Sequence, residues 1–359
     1  MPCRHHRQGI LLSANYKTPP MHAGKNFSFR EVITWTRRDI YTLFLISFVP
    51  TFCYQVLGWK WLSIPWMPVA LLGTAVAFVV GFKNNASYDR MWEARRVWGS
   101  ILNASRSWGI MVKDFIPDKN ATVTNPQELD AIKLTLIKRH IAWLTAMRYQ
   151  LREARVWEAI YKPHNQEYKD KWFHVSEHNG DLKEQLLKYL TAEEVAMLMK
   201  KSNKAAQIIT LQSELLRDLY NKGVIENFRH IEFQRMLTEF YNQQGASERI
   251  KNFPYPRQFA TLNLYFIRAF VLLVPLGMLQ EFNKMGGHLV WLSVPFSALS
   301  AWIFTTLEKI GESTESPFEG SANDVPITAI SRTIEIDLLE MFDQQDVPAP
   351  LKPENNILL

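Results

Sequence analysis

Cysteine is almost absent from this 359-residue chain. Cys3 and Cys53 are too few for a disulfide framework, and Cys3 with His5 and His6 is too short and isolated a group to read as a metal site. No Walker loop, GxGxxG or GxSxG motif occurs, which argues against a nucleotide-driven pump and the common hydrolase and dehydrogenase sites. Residues 1–20 lack an apolar core followed by a small-residue cleavage site, so they read as a polar, disordered tail rather than a signal peptide, with Met21 an alternative start. Runs of alternating apolar and polar residues are missing too, and with them any sign of strands. The fold class expected is all-α.

The most informative absence is charge. None occurs from Ile40 to Trp59, none from Trp61 to Phe82, and none from Met285 to Leu307, while Gln258 to Gln280 holds only Arg268. A helix needs about 20 mostly apolar residues to cross the hydrocarbon core. Each run is long enough, so the expectation is an integral membrane protein with four transmembrane helices. Lys25, Arg30, Arg37 and Arg38 precede the first run, and Lys83, Arg90, Arg95 and Arg96 follow the second. The link between the first pair holds only Lys60, and that between the second pair Glu281 and Lys284. By the positive-inside rule both termini and the middle of the chain face the cytoplasm. The expected location is the cell's inner (plasma) membrane, crossed several times. The formal charge of +6 fits a surface beside anionic membrane lipid, and with no nucleic-acid motif present no nucleic-acid partner is implied.

The chain divides into a tail at 1–24, an N-terminal helix and hairpin at 25–82, and a large cytosolic helical domain at 83–252. A second hairpin follows at 253–307, then a cytosolic segment with a helix at 308–344 and a flexible tail at 345–359. Within the cytosolic domain, 84–115, 128–153, 191–220 and 225–242 read as helices, separated by Pro117, Pro126, Pro163 and the pairs Asn179-Gly180 and Lys222-Gly223.

Three features carry chemistry. His174-Val-Ser-Glu177-His178 matches an inverted zinc-protease pattern, against a plain solvated helix end that Asn179-Gly180 would break. Arg268, near mid-span, either faces a bundle interior or snorkels to the interface. Thr74, Phe78 and Phe82 recur at i, i+4 and i+8, one stripe of the second span. That stripe is either ordinary packing or the apolar lining of a pore that gates by dewetting. Transporters built from inverted repeats need more spans than four.

The stretch Gly81-Phe82-Lys-Asn-Asn-Ala-Ser-Tyr88-Asp-Arg90-Met-Trp92-Glu93-Ala-Arg95-Arg-Val-Trp98-Gly99 resembles the bestrophin family, above all its bacterial branch. Gly245-Ala-Ser-Glu-Arg249-Ile250 with Pro254-Tyr255 resembles the family's approach to the third span. Glu315-Ser-Pro317-Phe318-Glu319-Gly320 with Asn323-Asp324 resembles its segment after the fourth. The resemblance covers about 25–344. It implies a homopentameric channel with four spans per subunit and a cytosolic helical vestibule, no enzyme and no cofactor or metal, passing monovalent ions passively. The family at large conducts chloride and its bacterial branch cations. Matching the motif places the narrow neck at Thr74, Phe78 and Phe82, with Thr74 more polar than the family's usual residue, and a second constriction within 225–231, at Phe228. Animal members bind calcium after the Pro-Phe; here Glu319 to Asp324 carries few carboxylates, so no calcium gating is expected. A membrane-anchored zinc enzyme and a non-conducting scaffold remain the alternatives.

Overall fold

The computed structural model describes residues 28–116 and 126–359. Among these no strand occurs, only an isolated bridge between Glu354 and Ile357. The expected tail at 1–24 lies outside the described residues.

Helix α1 (Phe29–Gln55) begins on a capping box: the Ser28 hydroxyl accepts from the Glu31 N–H, and the Glu31 carboxylate accepts from the Ser28 N–H. The helix stops at Gln55, so its charge-free part from Ile40 is about 24 Å long, short of a full hydrocarbon core. Three other helical stretches, Lys60–Phe115, Asn227–Met285 and Leu289–Ser313, are long and apolar enough to cross a membrane.

Helix α2 (Trp66–Phe115) is 50 residues long and passes straight through position 83, where a domain boundary was expected. Hydropathy changes there, but no proline interrupts the helix, and turns on either side continue its hydrogen bonding. Then come α3 (Pro126–Arg152), the short α4 (Pro163–Trp172), α5 (Ser176–Asn179) and α6 (Leu182–Leu186), and α7 (Ala192–Met199) and α8 (Lys204–Asn221). The single helix expected over 191–220 is therefore two. The Asn203 side chain accepts from the Ala206 N–H at 3.0 Å and starts α8 afresh, as asparagine does well at an N-cap. Helices α9 (Asn227–Asn252), α10 (Arg257–Met285), α11 (Ser293–Ser313) and α12 (Ile327–Met341) complete the order.

Two cores hold these helices. In the apolar part α10 packs on α2 and α11, and α11 on α1, around Leu43, Val69, Val76, Ile267, Phe270 and Val274. Gly73 lets α2 approach α10 closely, since a Cβ there would lie 2.7 Å from the Phe270 ring. The larger core joins the lower half of α2 to α3, α8, α9 and α12 around Trp98, Trp108, Trp143, Phe233 and Phe240. Each such fully buried side chain contributes about 1.5–3 kcal/mol.

The last residues, expected to be a flexible tail, end docked instead. Ile357 and Leu358 are buried, the former against Phe173, Val175 and Ala322, and the Leu359 carbonyl accepts from the Ala329 N–H at 2.8 Å. Apolar side chains in the last three positions supply the burial that a polar tail would lack.

Candidate functional site

Helix α2 turns about 100° per residue. Val69, Gly73, Val76, Val80 and Lys83 all fall on its buried side. Thr74, Phe78 and Phe82 fall on the opposite side and are open in the single chain, Phe78 at 68% and Phe82 at 62% exposure. Their rings meet edge to face, centroids 5.0 Å apart. The Thr74 hydroxyl donates to the Ala70 carbonyl at 3.0 Å, leaving its lone pairs on the open face. Gly81, beside Phe82, has nothing within 4 Å of where a Cβ would stand. The candidate neck residues are thus one continuous uncovered stripe of aromatic and small side chains. Arg268 is also exposed, on the side of α10 turned away from Val271 and Val274, rather than inside the single-chain bundle.

Below the stripe, several residues of 88–98 anchor α2 to its neighbours. Arg90 donates to the Ile250 carbonyl at the end of α9 (2.8 Å) and to the Glu315 carbonyl beyond α11 (3.0 Å). Burial lowers the Arg90 guanidinium pKa, with Glu93 opposing the shift and Arg257 adding to it. Glu93 pairs with Arg249, and Glu315 with Arg257. Trp98 is fully buried in the core, and Arg95 is half-buried. Tyr88 and Trp92 stack on the exposed face, centroids 6.4 Å apart.

The segment after α11 is turned inward. Pro317 and Phe318 are buried and Asn323 half-buried. Asp324 accepts from Arg152 (2.9 Å), the Gly320 N–H (2.6 Å) and the Ser321 hydroxyl (2.7 Å). The Glu319 carboxylate accepts from the Ala159 N–H at 2.9 Å. Burial, with Asp324 and Glu158 nearby, holds Glu319 well above the usual carboxylate range. Glu158 itself pairs with Lys251, both buried.

Phe228 stands in the first turn of α9 and is 80% exposed, whereas Ile225 before it is buried. His174 and His178 line one cavity, but Glu177 between them is turned to other partners. His174 is exposed near Glu354 (3.6 Å), and Glu177 is held by Arg148 (2.6 Å) and Thr328 (2.7 Å). Among the described residues no cluster of His, Cys, Asp and Glu could hold a metal ion.

Sequence reading missed a polar knot at the base of the apolar helices, where Glu308 of α11 pairs with Lys83 and accepts from the Asn263 amide. A signal was present: Lys83 and Glu308 are the first charges after their apolar runs. The buried pairs Arg152–Asp324 and Glu158–Lys251 left no such trace, because none of their members stands at the edge of a charge-free run.

Long apolar helices, a charged helical body beneath them and an uncovered aromatic stripe define a membrane protein of the all-helical class. The chain belongs to the bestrophin family: the model of the Bacterial/Fungal Bestrophin protein matches residues 27–340. It is similar to the voltage-dependent anion channel-forming protein YneE of Salmonella typhi, 28% identical over 85% of each chain. It is similar to YneE of Escherichia coli strain K12, 27% identical over 81% of this chain and 82% of that one. The fold is also that of a bacterial bestrophin homolog from Klebsiella pneumoniae, with a TM-score of 0.71 at 22% identity, covering 86% of this chain and 99% of that one.

Proposed function

We propose that this chain is one subunit of a homopentameric ion channel of the bacterial inner membrane, with four spans, cytoplasmic termini and a central pore lined by α2. The observation that carries this reading is the stripe of Thr74, Phe78 and Phe82, which lies opposite the chain's own apolar core. In a single chain the stripe encloses nothing. Copies arranged around an axis would stack it into rings and close an apolar constriction that resists wetting. The same face of α2 continues downward to exposed Asp89 and Arg96, so an apolar neck would open into a charged vestibule. The polar Thr74 ring would make the outer neck wetter. Phe228, exposed on α9, is the candidate for the lower aperture. Four spans count α1, whose short apolar part would cross with help from locally thinned lipid.

The channel passes monovalent ions passively. The relatives' names speak of anions, whereas the resemblance to the bacterial branch implies cations. An apolar neck carries no charge ring to decide the sign, and reversal potentials in asymmetric NaCl decide it directly. Calcium does not gate the channel in this reading, since the Asp324 oxygens are taken up by Arg152, Gly320 and Ser321. A calcium-dependent current from purified protein in bilayers would refute that part.

The main test replaces Phe78 and Phe82 together by alanine and measures current through reconstituted protein. A wider, hydrated neck passes markedly more current than the parent. Unchanged conductance would remove α2 as the pore lining.

A further inference from the structure

The level at which α1 and α11 leave their apolar runs is marked by an ion pair between Asp39 and Lys309. Just below it lies a cavity of about 360 Å³, closed by the first turns of α1, by α4, by the end of α11 and by residues 321–323. Its walls are mostly apolar, from Val32, Trp35, Ile160, Phe173, Ile310 and Ala322, with polar side chains such as Asn165 and Asn323 among them. The buried Thr306 hydroxyl on its lining has no hydrogen-bond partner. The volume falls in the range of small-ligand pockets, about 300–1,000 Å³.

A second cleft adjoins the first, sharing Trp35 and Tyr168 with it. Its chemistry is different. Arg37, Arg38 and Lys171 line it against a single carboxylate, Glu167, which both arginines meet. Two of the three cations are therefore uncompensated. Each guanidinium carries five N–H donors, so most remain available after Glu167 is served. The buried Trp172 indole N–H, also on this lining, is without an acceptor. His164 adds no charge at neutral pH, since burial, with Lys309 nearby, lowers its pKa to about 4.

An apolar chamber beside a cationic cleft, with Trp35 and Tyr168 as their common wall, at the depth where spans meet headgroups, suits an amphiphile. We propose that it binds one anionic phospholipid of the cytoplasmic leaflet, with an acyl chain in the cavity and the phosphate among Arg37, Arg38 and Lys171. Basic pockets between membrane helices on the cytoplasmic side favour such headgroups. The inference rests on the proposed orientation of α1 and not on conduction, so it can fail while the neck assignment stands.

The test uses the full chain, stripped of lipid in detergent and titrated with dioleoylphosphatidylglycerol or dioleoylphosphatidylcholine, with binding read by native mass spectrometry. Two uncompensated cations predict roughly a thirtyfold preference for phosphatidylglycerol, at one lipid per chain. Arg37→Gln with Arg38→Gln and Lys171→Gln abolishes the preference. Ala322→Trp, or independently Ile310→Trp, fills the chamber and weakens binding of both lipids while the charges stay in place. Equal affinity for the two lipids, a preference that survives the triple substitution, or a filled chamber that binds as before would each overturn the proposal. So would binding that appears only after residues 1–27 are removed, which would make that segment the occupant.

Discussion

His140 gives a sharp test of the cytosolic core. It is fully buried, its ring against Trp143 and Phe240, with centroids 5.1 and 4.5 Å away. Its Nε2 lies 2.9 Å from the Ser105 hydroxyl oxygen, and that hydroxyl already donates to the Ile101 carbonyl at 2.7 Å. Nε2 must then carry the hydrogen, and Nδ1 faces no partner at all. Protonation would bury a charge and an unpaired N–H together, and this lowers the pKa to about 3. In the unfolded chain the same group takes its proton near 6.5. Below 6.5 the unfolded state therefore binds more protons, so stability is whole above that value and falls as pH drops toward 3. At pH 5 the loss is about 1.5 units times 1.36 kcal/mol, or about 2 kcal/mol. For a domain of this size that lowers the melting temperature by about 4–8 °C. The assay is the helical circular dichroism of the purified protein, melted at pH 7.5 and at pH 5. His140→Phe keeps the aromatic packing and removes the titration, so its drop between the two pH values should be smaller than the parent's by that amount. His164 and His178, both depressed to about 4 but half-exposed, keep a smaller residual slope in both proteins. If parent and variant fall equally, His140 is not the group responsible and the reasoning fails.

Other perturbations follow from the same geometry. Arg90→Lys keeps the charge but cannot fork to two carbonyls, and loss of one charge-assisted bond should cost about 1.5–3 kcal/mol, seen as a lowered thermal midpoint. An unchanged midpoint would mean that the brace between α2, α9 and the segment after α11 carries no load. Glu319→Gln keeps the acceptor for the Ala159 N–H and deletes a carboxyl held above its usual 4.5. Stability supplied by the raised group is whole below 4.5 and drains as pH rises through the raised value, so the variant should gain on the parent at pH 8 and lose that advantage at pH 4. Equal melting differences at both pH values would count against it. Gly73→Val drives a side chain into Phe270 and should cost about 1–3 kcal/mol, while Gly81→Ala, with open space around it, should leave the melt unchanged. Similar losses at both glycines would contradict the close approach of α2 and α10.

Much of the fold was legible along the chain. Charge-free runs announced the apolar helices because a bilayer imposes a length that composition must meet. The Thr74, Phe78 and Phe82 stripe was legible because a helical face repeats every three to four residues. At 83 the change of hydropathy marks the end of an apolar run, while the hydrogen bonding of the helix continues to Phe115. The misreadings lie elsewhere and share a cause. At 200–203 a helical pattern hid a fresh N-cap on Asn203, visible only once its side chain is seen to accept from Ala206. The last residues looked free because nothing local says that Ile357 finds Phe173 or that Leu359 finds Ala329.

The open stripe on α2 shows where the two kinds of information divide. Local order along the chain settles that these three residues share a face and that the face belongs to an apolar helix, since both depend on spacing and composition alone. Which side of that helix the chain covers is settled by Phe270, Val274 and their neighbours, almost 200 positions away, and by the glycine that admits them. The same holds for the apolar cavity below Asp39 and Lys309 and for Arg152 with Asp324. Each depends on pairs brought together by packing, and such pairs leave no period in the sequence to read.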